Sequence, residues 1–83
     1  MDLTAFTAEQ LYAMSRAAYK TGIQHYDDAD QLIDQMRAMP SHLTPGYREL
    51  RERYRVVRAA ADEQADLHMA ISAELDRRAA CDA

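Results

Sequence analysis

An all-α fold is what this sequence predicts, and three observations predict it. Only two glycines and two prolines punctuate the 83 residues, so long regular elements are expected. Apolar residues recur at steps of three and four rather than alternating. After Gly46 no glycine or proline follows up to Ala83, and good helix formers (Ala, Arg, Glu, Leu) fill most of that stretch.

The first predicted helix covers about residues 7–21. Thr7 is placed to cap it, with Gln10 as the capping-box partner and Phe6 and Leu11 as the hydrophobic staple. Leu11, Met14 and Ala18 follow at helical spacing. Gly22 is read as the residue that ends it in a left-handed turn, with Ile23 folding back on the last turn. A second helix over about 28–39 starts in the acidic run from Asp27 to Asp30. Asp28 caps it, Gln31 sits at the matching capping-box position, and early aspartates complement the helix dipole. Leu32, Ile33, Met36 and Met39 form its apolar face, and Pro40 ends it.

The third predicted helix is the large feature, over about 44–79, with Thr44 as cap and Pro45 in the first turn. Unbroken, it would be about 54 Å long, against the roughly 25–30 Å of a compact chain this size. Either it breaks near Ala61–Asp62, or it projects and needs a partner. Its apolar seam runs Tyr47, Leu50, Tyr54, Val57, Ala61, Gln64, His68, Ile71, Leu75 without a slip. That is the repeat of a coiled coil with a polar middle, and it marks Tyr54, Val57, Gln64, His68, Ile71 and Leu75 as a self-association seam. The rival reading is an ordinary globular helix with a wet patch. Tyr12, Tyr19 and Tyr26 share a seven-residue spacing, as do Tyr47 and Tyr54. Tyrosine so placed ordinarily lines a core edge with its hydroxyl in water, a partner surface being the alternative.

Residues 1–83 make one domain, and a core this small supplies only about 3–5 kcal/mol. The lone Cys81 cannot form an internal disulfide, which leaves self-association, a homodimer, as the expected remedy. No apolar run approaches the roughly 20 residues of a membrane span. The first ten residues lack a basic cluster and an apolar run of signal-peptide length, and a lone thiol fits a reducing compartment. The expected location is the cytoplasm.

Arg48, Arg51, Arg55 and Arg58 step by three, four and three, so they form one stripe of the third helix. Cations near a helix N-terminus oppose its dipole by a few tenths of a kcal/mol each, so something should offset them. If the third helix folds back antiparallel to the second, Asp27, Asp28, Asp30 and Asp34 would lie alongside. Otherwise the stripe faces outward and grips an acidic partner. Nucleic acid is disfavoured: the chain carries net charge −4, residues 47–58 net only +3, and residues 62–76 net −5, so a phosphate backbone would meet repulsion within two turns. An acidic patch on a protein fits better. The acids of 27–34 and 62–76 could also imitate phosphates, with modest density.

The chemistry of catalysis finds no footing. His25, His42 and His68 fall on different predicted elements without paired ligand spacing, and no second cysteine exists for a thiolate site. His25 with Asp27 and Asp28 is the one local cluster a metal could use, and those aspartates are better explained as helix-start residues. Glycines at 22 and 46 alone exclude phosphate-binding loops and nucleophile elbows. No enzyme activity, cofactor or metal is expected. In general style the chain is similar to short, alanine- and arginine-rich helical proteins encoded by bacteria and their phages, many of which cap a surface on a larger machine. No motif carries that likeness. The expected function is a helical protein–protein interaction module that modulates or inhibits a larger partner through the arginine stripe. The alternatives are a small nucleic-acid-associated regulator using the same stripe, and a structural subunit of a larger assembly.

Overall fold

The predicted cap at Thr7 forms, and the helix behind it does not stop. In the computed structural model, which describes residues 2–82, Gln10 N–H donates to Thr7 Oγ1 at 3.1 Å and Thr7 N–H donates to Gln10 Oε1 at 2.9 Å. The helix so capped, α1, runs from Ala8 to Arg37. It absorbs both the first and the second predicted helices. A second helix, α2, runs from Tyr47 to Asp82, and a short 3₁₀ turn, Leu3–Ala5, precedes α1. Two long helices therefore replace the expected three, packed as an antiparallel hairpin.

The reason α1 continues lies at Gly22. It is buried in mid-helix, and a Cβ built on it would stand 3.5 Å from Gln64 Cβ of α2. Glycine here is a site of close helix–helix approach, not a terminus. Its helical cost is about 1 kcal/mol, and Leu11, Ala18, Gly22, Ala29 and Leu32 keep one register across it, all buried against α2. Ending the helix at residue 21 would break that register. Asp27 and Asp28 are consequently exposed mid-helix residues rather than caps, and Ile23 is 43% exposed. At the far end the helix stops with Ala38 as its cap residue, within two residues of the predicted end.

Nor does α2 break near Ala61–Asp62. Ala61 is fully buried, while the exposed Asp62 accepts a hydrogen bond from the Tyr26 hydroxyl at 2.9 Å and pairs with Arg58 at 3.3 Å. A carboxylate engaged in that way does not cap a new helix. The start of α2 shifts from the expected 44 to 47. Tyr47 N–H donates to Thr44 C=O at 3.1 Å, and Gly46 has φ +89°. With Pro45 second and Gly46 third, Thr44–Tyr47 is a type II turn. Thr44 therefore belongs to the turn, and Gly46 C=O accepts the first helical bond, from Leu50.

The two glycines thus make opposite predictions. Gly22→Ala adds a methyl at ordinary contact distance and removes the helical penalty, so it should stabilise by about 0.5–1 kcal/mol. Gly46→Ala forces a side chain into the left-handed region and should destabilise by about 1–2 kcal/mol. Urea unfolding of both variants checks the pair, and equal effects would mean that the two sites are misassigned.

The hairpin is long and thin, 58 × 18 × 17 Å, with a radius of gyration of 17.7 Å, against about 12 Å for a compact chain of this length. Among the described residues the buried apolar ones are Leu11, Ala18, Ala29, Leu32, Ala61 and Ile71, and three of these are alanine. The accessible surface is 6229 Å², whereas a globular monomer of this mass exposes about 5,000 Å². Two helices alone cannot enclose a core of ordinary size.

The open end of the hairpin is closed by Arg78. Its guanidinium donates to the carbonyls of Phe6 at 2.7 Å and Leu3 at 3.2 Å, and to Glu74 at 2.9 Å. Hydrogen bonds from Arg77 and Arg78 hold the Glu74 carboxyl down to about 2. A folded-state value below the ordinary one stabilises the fold above the ordinary value, and the effect is lost as pH falls through about 2. Acidification from about pH 4.5 towards 2 should loosen the Arg78 clasp. Arg78→Ala should release the Leu3–Phe6 segment at neutral pH. Limited proteolysis there reads both, and undiminished protection would place the tether elsewhere.

Candidate interaction surface

The spacing of the seam sets which faces of α2 remain for partners. Tyr54, Val57, Gln64, His68, Ile71 and Leu75 all lie half-buried or buried, because α1 of the same chain covers them. Ser15 Oγ and His68 Nδ1 stand 2.9 Å apart, and the Tyr19 and His68 rings pack at 5.5 Å. The helix that fills the repeat is α1 of the same chain and not the second copy that the spacing suggested. A second copy would have to displace α1 to use it.

Arg48, Arg51, Arg55 and Arg58 are all exposed. Arg55 pairs with Glu52 at 3.3 Å and Arg58 with Asp62 at 3.3 Å, both within α2. Among the described residues, no ion pair joins an α1 acid to this stripe, so the expected offset by Asp27, Asp28, Asp30 and Asp34 does not form. Exposed pairs of this kind are worth about 0–1 kcal/mol, which leaves the guanidinium groups available to a partner.

Beside the stripe lies a feature that the sequence reading treated as a core edge. Tyr19, Ile23 and Tyr26 of α1 and Ala65, His68 and Met69 of α2 line a shallow, almost wholly apolar groove of about 210 Å³. This is below the roughly 300–1,000 Å³ of a small-molecule pocket. Tyr19 (58% exposed) and Met69 (68%) stand open to solvent along it, and Tyr12, two helical turns before Tyr19, is 55% exposed. Arg58 closes one end, its guanidinium carbon 4.9 Å from the centre of the Tyr26 ring. The Tyr26 hydroxyl donates to Asp62, which holds its pKa above the ordinary value. Helical spacing puts Arg51, Arg55, Arg58, Asp62 and Met69 on the same side of α2 as this groove. On the opposite side of the hairpin Asp28, Gln31 and Gln35 lie near Arg53, beside a more open, largely apolar depression at Val56 and Val57, of which Val56 is 68% exposed.

One lateral face therefore concentrates the aromatic, aliphatic and charged groups. The signal for it in the sequence was the Tyr12–Tyr19–Tyr26 spacing combined with the continuous register through Gly22. His25 is half-buried on α1, His42 is exposed in the connecting segment, and Cys81 is exposed near the end of α2. Among the described residues no group of three or more His, Cys, Asp or Glu side chains is arranged to hold a metal ion, and no helix is long and apolar enough to cross a membrane. Comparison with protein-family models, with curated proteins and with solved structures finds no match.

Proposed function

We propose that this chain is a non-enzymatic, helical protein–protein interaction module that modulates or inhibits a larger partner by occupying its surface. The observation that carries this reading is the lateral face: an exposed arginine stripe running beside an exposed tyrosine–methionine groove, on a hairpin with more surface than its mass requires. Arginine and tyrosine are the residue types that dominate binding energy at protein interfaces. The groove is too shallow to enclose a substrate, which favours a flat macromolecular contact over catalysis. Charge favours a protein over nucleic acid, because Asp62 and Asp66 continue the line of the stripe with the opposite sign. We place the module in the cytoplasm, where the exposed Cys81 would remain a thiol.

Replacing Arg51, Arg55 and Arg58 together with alanine tests the reading. The variant should keep its helical circular dichroism, since all three are exposed, and should lose a protein that the wild-type chain retains from lysate at both low and high salt. A partner retained equally by both chains would overturn the assignment of the stripe. Nucleic acid retained at low salt and lost at high salt would replace it with the regulator reading.

A further inference from the structure

The charges on the lateral face identify one occupant for it, and this inference rests on the interaction reading just given. Toward the connecting turn the α2 edge of the face is basic (Arg51, Arg55, Arg58) and the α1 edge is acidic (Asp27, Asp30, Asp34). Toward the open end the signs exchange, with Asp62 and Asp66 on α2 and Arg16 and Lys20 on α1. Every one of these side chains is exposed. The apolar groove lies between the two pairs of edges.

A checkerboard of this kind complements itself. If a second copy is rotated half a turn about the long axis of the hairpin, its α1 lies over α2 of the first, antiparallel, with heights along the axis unchanged. Those heights are fixed within each chain by Tyr26 beside Asp62 and by Gly22 beside Gln64. The rotation sets Arg51, Arg55 and Arg58 against the Asp27–Asp34 stretch of the second copy, and Asp66 against its Lys20. It also lays groove on groove, with Tyr19 and Ile23 over Ala65 and Met69. Like charges approach at two places, Arg37 with Arg48 and Arg51 near the turn, and Asp27 with Asp62 where the signs exchange. The other possible two-fold, across the hairpin, matches Arg55 with Asp66 only when centred near Ala60. The apolar grooves then miss one another by about three helical turns.

We infer that the lateral face pairs with a second copy of this chain, related by a two-fold along the hairpin, to form a four-helix bundle whose adjacent helices are antiparallel. A face 58 Å long and 18 Å wide spans on the order of 1,000 Å², enough for the ~800 Å² per partner of a standard interface. The pairing also fills the core that two helices leave open. Because the same arginines serve both contacts, self-pairing and capture of a larger acidic partner exclude one another.

Sedimentation equilibrium of four samples tests this. Wild-type protein should sediment as a dimer at micromolar concentration, and Ile23→Glu as a folded monomer. A chain carrying Arg51→Glu, Arg55→Glu and Arg58→Glu should be monomeric, as should one carrying Asp27→Lys, Asp30→Lys and Asp34→Lys. Mixing the two reversed chains should restore a dimer with one copy of each, because both pairs of edges are then opposite in sign. A helical wild-type monomer would overturn the inference while leaving the interaction reading to the arginine-to-alanine test. A wild-type dimer with no rescue on mixing, or one that Ile23→Glu leaves intact, would also overturn it.

Discussion

Ile71→Ala is expected to leave most of the isolated chain unfolded at room temperature. Ile71 and Leu11 are the largest side chains that the hairpin buries completely, and they stand on facing helices toward the open end. Truncating a buried isoleucine removes the transfer free energy of three carbons and leaves a cavity, together about 2–5 kcal/mol. The whole core, Ile71 included, supplies only about 3–5 kcal/mol, and alanine fills half of its buried positions. Loss and reserve are therefore of the same size. Val56→Ala is the control: Val56 is 68% exposed, and its truncation should change stability by less than about 0.5 kcal/mol. Urea titrations followed by circular dichroism at low micromolar concentration measure both. An Ile71→Ala protein with wild-type helicity and midpoint would show that the core lies elsewhere.

The helical character of the chain, the capping box at Thr7 and the end near Met39 were legible because each is local chemistry, settled within a few residues. The division of α1 into two helices was misread for the same reason. Gly22 followed by Ile23, then an acidic run, satisfies the local rules for a stop and a start. What overrules them is a contact 42 positions away in sequence, Gly22 against Gln64, which no local rule contains. Even so, the unbroken spacing Leu11–Ala18–Gly22–Ala29–Leu32 was visible, and a helix that truly ended at residue 21 would have had no need to keep it. The expected break at Ala61–Asp62 came from assuming a compact globule. The chain is not compact, so the length argument loses its premise.

The candidate surface was half legible. The arginine stripe followed from spacing alone, and its exposure was one of the two outcomes weighed. The seam was read as one for self-association, and its residues instead pack against α1 of the same chain, because a repeat does not say which helix fills it. Once α1 proves continuous, it is long enough to cover the seam from Tyr54 to Leu75, and the seam becomes interior. Tyr12, Tyr19 and Tyr26 then change meaning. Tyr19 and Tyr26 stand at the edge of the core, the Tyr26 hydroxyl bonded to Asp62, and with only two helices present that edge is an open face.

The central claim is that this face is completed by a second copy, and the concentration dependence of thermal unfolding tests it most directly. Folding coupled to pairing obeys mass action, so each tenfold rise in protein concentration adds about 1.4 kcal/mol to the paired state. For a chain of this length about 1 kcal/mol moves the midpoint by several degrees. Raising the protein from about 1 to about 100 µM should therefore shift the midpoint upward by on the order of 10 °C. The Ile23→Glu chain should show no shift over the same range. A wild-type midpoint independent of concentration would contradict the account and would mean that folding is not coupled to pairing of two copies.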